Sequence, residues 1–319
     1  MQVQTKERLQ SSRNSLSARI KKDFVRNRAL YFLVLPVVAF YILFSYVPMF
    51  GIIIAFKDYS PSKGILGSPW TAFGGFKHFV DFYSNPVFFR LLRNTILLNL
   101  YSLIFSFPIP IVFALILNEV PFKMFKRTVQ TISYFPHFVS LVVVCGIITD
   151  FTLSDGLINV IREIFGLPVK SLLQESAYYR TIYITSGIWQ QIGWSSIIYL
   201  AAIAGTDAQL YEAAALDGAG RLKRLWHITL PSIQSTIVIL FIMQIGRLMS
   251  LGADKTILLY NPSTFEVSDI ISSFVYRRGL IELNWSFSSA VGLFNSIINF
   301  TLVYIANAVS RKFTENSLF

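Results

Sequence analysis

Charge is scarce in this 319-residue chain: only 14% of its residues are Asp, Glu, Lys or Arg, against about 25% in an ordinary soluble domain. A water-soluble globular enzyme is excluded on that ground. Cysteine is almost missing as well, since Cys145 alone permits no internal disulfide and no cysteine-built metal cluster. It lies in the apolar run 141–148 and is expected to be plain core. No glycine is followed directly by lysine, so the chain has no Gly-x-x-x-x-Gly-Lys phosphate loop. His78, His137 and His227 stand on separate segments, and no His-Glu-x-x-His pattern occurs. No stretch of 20 to 50 residues repeats, and there is no low-complexity tract.

What is present is hydrocarbon-loving sequence, 54% hydrophobic and gathered into long charge-free runs. Residues 29–56, 95–118, 128–149, 181–206, a stretch from 231 and 284–310 give six candidate membrane spans. Runs this long must be helices, because in hydrocarbon each backbone N–H and C=O needs a partner within its own segment. The fifth is the least clean, as Arg247 interrupts it. Pro36, Pro48, Pro108, Pro110 and Pro136 fall inside these runs, where membrane helices tolerate them as kinks. The expected fold is therefore all-α: a polytopic protein with six transmembrane helices.

Charge sets the orientation. The tails 1–28 and 311–319 and the loops 119–127 and 207–230 hold sixteen Lys and Arg against seven acids. The longer segments 57–94, 150–180 and 251–283 hold eleven against ten. Basic residues collect on the cytoplasmic side, so both termini are expected there. The net charge of +11 is accordingly assigned to membrane lipid and topology, not to nucleic acid. The first run is far longer than the apolar core of a secretory signal and reads as a retained anchor.

The cytoplasmic loop 207–230 reads as two short helical pieces divided by Gly218 and Gly220. Asp207 suits the N-cap of the first, and Leu210, Ala213, Ala214 and Asp217 share one face. Gly218 permits a bend. In the second piece Leu222, Leu225 and Trp226 form an apolar stripe, and Pro231 suits the first turn of the next span. Glu212-Ala213-Ala214, three residues, Gly218, nine residues, Ile228, one residue and Leu230-Pro231 resemble, at every spacing, the signature of the permease subunits of bacterial binding-protein-dependent ABC importers. The Asp217-Gly218-Ala219 form is similar to the carbohydrate branch, the MalF and MalG type. Segments 193–204, 258–262, 276–280 and 290–295 resemble LplB-type permeases. The likeness covers roughly residues 28–312, and Arg247 departs from the uncharged polar residue expected at its position.

The resemblance implies a MetI-like permease core over 95–310 in a bacterial inner or plasma membrane. It implies a second, related permease, as a heterodimer; two ATP-binding subunits that carry ATP and Mg; an extracytoplasmic solute-binding protein; and a carbohydrate solute. No cofactor and no catalytic residue are expected on this chain. Glu212, Ala213, Ala214, Asp217 and Gly218 would couple it to the ATPase, with Glu212 in a charge pair and Gly218 at a close approach.

Sugars are bound by aromatic faces and by amides or charges, which singles out Trp189, Gln190, Gln191 and Trp194, Gln244 and Arg247, and Asn295 and Asn299. Gln190 with Trp194, Gln244 with Arg247 and Asn295 with Asn299 fall on shared helix faces. Arg247 suits an anionic sugar such as a uronate, or an acid on the partner permease. The same groups also suit interhelical hydrogen bonding, and the tryptophans an interfacial belt. Other solutes, such as peptides, are disfavoured by the Asp217-Gly218-Ala219 form. A self-sufficient secondary transporter is disfavoured because the charge-free runs contain no Asp or Glu, and a membrane enzyme because Asp150, Asp155 and Glu163 form no familiar cluster.

Overall fold

Proline decides how the apolar runs become helices. A proline cannot donate a hydrogen bond, and its ring crowds the carbonyl one turn back. At three places the turn before it opens into π geometry: Ile42–Tyr46 precedes Pro48, Ser102–Ser106 precedes Pro108, and Leu225–Thr229 precedes Pro231. In each case the residue just before proline donates five residues back: Val47 to Ile42, Phe107 to Ser102 and Leu230 to Leu225. The wider turn makes room for the ring and keeps the neighbouring amide paired.

The structure, a computed structural model, describes residues 23–249 and 252–313. Most of the basic tail, Lys6 to Lys22, lies outside these residues, as does the end of the tail 311–319. Helix α1 (Arg28–Tyr41) continues through the first π turn to Phe56. None of its own residues is buried, and the apolar stretch reaches the rest of the chain only near its end. After the short α2 (Lys77–Tyr83), α3 (Phe88–Tyr101) and α4 (Pro108–Glu119) form one long span through the second π turn.

The third run departs from the expected single helix over 128–149. It is split into α5 (Lys123–Tyr134), a 3-10 turn at Phe135–Phe138 and α6 (Leu141–Thr152). Pro136 lies in the 3-10 turn, Val139 is extended, and Ser140 begins the new helix by accepting from Val143 N–H. Beyond α6, the amphipathic α7 (Leu157–Ile164) folds as its spacing predicts. The longest helix but for one equal is α8 (Ser176–Ala204), 29 residues or about 43 Å, and α4, α5 and α11 pack around it.

The loop that follows contains α9 (Ala208–Leu216) and α10 (Arg221–Arg224). The stretch Arg221–Ser232 meets α11 (Gln234–Ile245) at a bend of 59°. The chain ends with α12 (Ala253–Leu259), α13 (Ile271–Tyr276) and the 29-residue α14 (Trp285–Phe313). By length and composition, Arg28–Phe56, Phe88–Glu119, Leu141–Ile164 and Trp285–Lys312 are able to cross a membrane, and the bent pair makes five. Helix α8 has the length, though its polar residues dilute its apolar character, so six crossings are compatible with this arrangement. The described residues contain a single β bridge, Lys57 to Trp70, and no strand.

Three apolar clusters form the core. Cys145 belongs to the first, with Val144, Tyr179, Tyr183 and Ile270, as its sequence context predicts. Phe82, Phe88, Phe274 and Phe287 make an aromatic second, and Ile111, Tyr199, Ile203 and Ile233 a third.

One buried carboxylate pins the segment between α12 and α14 to the outer helix ends. Asp269 is fully buried, and Arg277 grips it with two bonds of 2.9 and 2.6 Å while Ser273 Oγ donates at 2.7 Å. Arg90 of α3 lies 3.9 Å away. Asn94 donates to the carbonyls of Glu266 and Asp269 and accepts from Arg180 of α8. Two long helices and one loop thus meet around a single negative charge. Removing one partner of a buried pair costs about 3–5 kcal/mol, whereas an exposed pair is worth about 1 kcal/mol or less. Asp269→Ala is therefore expected to lower the thermal unfolding midpoint of the detergent-solubilised protein far more than Glu282→Ala, which only breaks the exposed pair with Arg278; equal effects would refute this assignment.

Candidate functional site

Helix α9 carries the motif residues, and its geometry follows from its sequence. Asp207 Oδ1 accepts from Gln209 N–H at 2.9 Å and caps the N-terminus. At the other end Ala219 N–H reaches Ala214 O at 2.9 Å and Gly218 N–H reaches Ala215 O at 3.1 Å, the paired bonds of a Schellman turn. That turn needs a left-handed residue, and Gly218 supplies it with φ +73°. The bend expected at Gly218 is present, and no atom crowds its Cα.

No residue of α9 is buried. Glu212, Ala213 and Asp217 are exposed, Ala214 is half-buried, and no cation of the described residues pairs with Glu212. Leu210 and Leu216 are exposed to 51% and 90%, which an isolated helix in water has no reason to retain. The stripe expected after the bend divides: Leu225 turns into the third core cluster, while Leu222 and Trp226 remain outside. His227 Nδ1 donates to Lys223 O at 3.0 Å. The loop is held as a unit by Tyr211, whose hydroxyl lies 2.9 Å from Thr229 Oγ1.

A cavity of about 600 Å³ opens among α4, α8, α11 and α12. Gln190, Trp194, Gln244 and Arg247 all line it, as does Gln191, so α8 and the end of α11 bring these sequence-selected groups together. Trp189, Asn295 and Asn299 are not brought there. Trp189 is exposed elsewhere on α8. Asn295 donates to Met249 O at 2.6 Å and Asn299 accepts from Met249 N–H at 2.9 Å, so these two hold the backbone where α11 has ended. Their role in the fold is the interhelical one.

The broken third run packs against α8 residues that line the cavity. The His137 ring stacks on Trp194 with centroids 4.3 Å apart and planes within 3°, and Phe138 meets Trp194 edge-on. His137 Nδ1 donates to Gln191 Oε1 at 2.9 Å. Gln190 donates to Val139 O at 3.5 Å, a carbonyl released by the break. Gly193 allows the approach, since a Cβ there would sit 2.2 Å from Ser133 O of α5.

The cavity also contains groups that sequence reading passed over. Ser102 and Ser106 bracket the π turn before Pro108, and Lys255 enters from α12. Lys255 counted only as an external charge; its place behind Gly252, at the edge of an apolar stretch, was the available signal. The ammonium is half-buried and donates to Tyr183 O at 2.8 Å. Burial pulls its pKa down to about 8. Arg247 and Lys255 are the cations of the lining, and the lining contains no carboxylate.

Residues 82–315 match the family model described as the binding-protein-dependent transport system inner membrane component. The polygalacturonan/rhamnogalacturonan transport system permease protein YteP of Bacillus subtilis is 45% identical over 302 residues, 94% of this chain and 93% of that protein. Protein LplB of the same bacterium is 44% identical, covering 92% of each. Among solved structures, a bacterial ABC transporter involved in the import of the acidic polysaccharide alginate superposes with a TM-score of 0.84 at 39% identity, over 92% of this chain and 99% of that one. The bacterial alginate ABC transporter in complex with an alginate pentasaccharide-bound periplasmic protein gives 0.85 at 38%, over 94% and 100%.

Gly193→Ala forces α8 and α5 apart, an overpacking expected to cost about 1–3 kcal/mol. Gly146→Ala meets no atom within 4 Å and is expected to be neutral or slightly stabilising. Thermal unfolding of the two variants in detergent checks the contrast, and equal midpoints would remove the close approach at Gly193.

Proposed function

Because the chain belongs to the family of binding-protein-dependent transport system inner membrane components, we propose that it forms half of the pore of an ATP-driven importer of acidic oligosaccharides. The observation that carries this reading is α9, a capped helix with no buried residue that, with the Gly218 turn closing it, presents the Glu212-to-Gly218 motif directly after the cavity-lining α8. A second, related permease supplies the other half. The importer sits in the plasma membrane with both termini of this chain in the cytoplasm, which puts residues 207–230 on the ATPase side.

ATP and Mg are bound by a pair of separate ATPase subunits, and this chain performs no chemistry. When those subunits close on ATP, a groove holding α9 moves, and the rigid helix passes the motion to the spans. Glu212 pairs with a cation of the groove, while Ala213 and Ala214 keep the helix thin where the partner's backbone approaches. An extracytoplasmic binding protein delivers the solute to the outward-open pore. Its acidic character is supported by the names of the relatives, polygalacturonan and alginate transporters, and by a cavity that has Arg247 and no carboxylate.

Two tests follow, both in vesicles holding the reconstituted complex. Proline fixes φ near −65° where Gly218 requires +73°. Gly218→Pro and Glu212→Ala are each expected to cut uptake roughly tenfold or more, the size of a lost charge-assisted contact, with membrane insertion intact. Normal uptake in both variants would sink the coupling assignment. Arg247→Gln is expected to lower the ratio of acidic to neutral oligosaccharide uptake several-fold, and an unchanged ratio would remove Arg247 from selectivity.

A further inference from the structure

The cavity contains a cation that no ion pair in the fold explains. Lys255 projects from α12 onto the flank of α8, where it donates to Tyr183 O at 2.8 Å and lies 4.7 Å from the centre of the Tyr183 ring. An ammonium has three donors, and the hydrogen bonds among the described residues use one of them. No carboxylate of the described residues lies within ion-pair distance of it. Its immediate neighbour Asp254 is exposed and makes no such pair. A charge kept half out of water on a single carbonyl is costly, so a purely structural role is a poor account of it.

Helix α8 is shaped to admit this group. Gly187 stands one turn from Tyr183, and a Cβ at Gly187 would come within 3.2 Å of Lys255 Nζ. The missing side chain leaves a niche for the ammonium at the edge of the cavity. The same face of α8 continues through Gln190, Gln191 and Trp194, while Arg247 closes the lining from the turn after α11. Along that face the cavity offers a cation at Lys255, amides at Gln190 and Gln191 and an aromatic ring at Trp194, and Arg247 adds a second cation to the lining. A polyuronate repeats a carboxylate on every ring, so a short segment presents two anions at once together with hydroxyls and C–H faces. Two cations in one cavity match that pattern; a neutral glycan leaves both unpaired.

We propose that Lys255 is a specificity-determining residue of the transport pathway, reading one carboxylate of a uronate-bearing oligosaccharide while Arg247 reads another. The assignment rests on the acidic-oligosaccharide reading above. Tyr183 O holds the amine in place, and the niche at Gly187 keeps it facing the cavity when solute is absent.

The test uses the whole complex with its binding protein in proteoliposomes, and two probes of equal length: trigalacturonate and neutral galactotriose. Lys255→Met keeps the aliphatic stem and removes the charge; Lys255→Arg keeps the charge. Lys255→Met is expected to lower trigalacturonate uptake roughly tenfold or more and to leave galactotriose uptake unchanged or raised, with the subunits still co-purifying. Lys255→Arg is expected to retain most of the acidic preference. Loss of both substrates in proportion, or a wild-type acidic-to-neutral ratio in Lys255→Met, would overturn the proposal and reduce Lys255 to a structural tie between α12 and α8. Should Lys255→Met fail to assemble, Gly187→Ala displaces the amine without removing it, and an unchanged ratio there overturns the proposal equally. A wild-type complex that takes up galactotriose and rejects trigalacturonate overturns the acidic reading itself, an outcome read without any variant.

Discussion

Hydrocarbon offers no hydrogen bonds, and the shape of this chain follows from that refusal. Each backbone amide inside a span must find a carbonyl in its own segment, yet proline stands in or at the start of four of the six expected spans. The conflict is settled locally by opening one turn. Three prolines, Pro48, Pro108 and Pro231, are each preceded by a π turn whose last amide reaches back five residues. Pro136 takes the other solution, a 3-10 turn and a break, and there the freed Val139 carbonyl is taken by the side chain of Gln190. At Pro108, Pro136 and Pro231 the irregular backbone lies where another helix or a cavity receives it, whereas Ile42–Tyr46 is exposed. Ser102 and Ser106, at the ends of one π turn, line the same cavity as Gln190.

Charge obeys the same economy with two different outcomes. Around Asp269 the arginines Arg277 and Arg90 converge, and Asn94 relays the network to Arg180. That cluster joins α3, α8 and the segment leading to α13. In the cavity the cations Arg247 and Lys255 have no such partner among the described residues. A fold that neutralises its buried charge so thoroughly at one place and leaves it open at another separates framework from binding surface. Exposure alone does not draw that line, because Lys255 is half-buried and held by a carbonyl.

How much of this was legible in the sequence depended on whether the relevant neighbours were close along the chain. The form of α9 was legible: Asp207, the Ala213-Ala214 face and Gly218 determine cap, thinness and bend within twelve residues. Gln190, Trp194, Gln244 and Arg247 were legible as pairs on single helices, and the fold then brought the pairs together. Asn295 and Asn299 showed the same spacing on α14 but clamp Met249, since a shared face does not say what it meets. The split of the third run was hidden because the charge-free run continues across Phe135 to Ser140 while the helix does not. For Lys255 the place behind Gly252 was a weak local signal, and its rest on Tyr183 of another helix is set by neighbours distant in the chain.

Under the proposed coupling, the packing gives a push on α9 a route to the cavity. Helix α9 is tied by Tyr211 to Thr229, which is itself buried. From there Leu225 and Leu230 enter the third core cluster, which contains Ile111, Tyr199 and Ile233 and packs against Phe107 and Leu240. Three of those residues, Phe107, Tyr199 and Leu240, also line the cavity. A close-packed interior does not absorb displacement by compression, so motion imposed at 208–216 passes through 225–230 into the cavity wall. The 59° bend between Arg221–Ser232 and α11 turns the direction of that motion within the same cluster. The π turn at Leu225–Thr229 lies on this route, and so does the π turn that ends at Ser106. Under the proposed coupling, the π turns before Pro108 and Pro231 thus stand where force is passed to the cavity wall, and one local solution serves both the fold and the proposed movement.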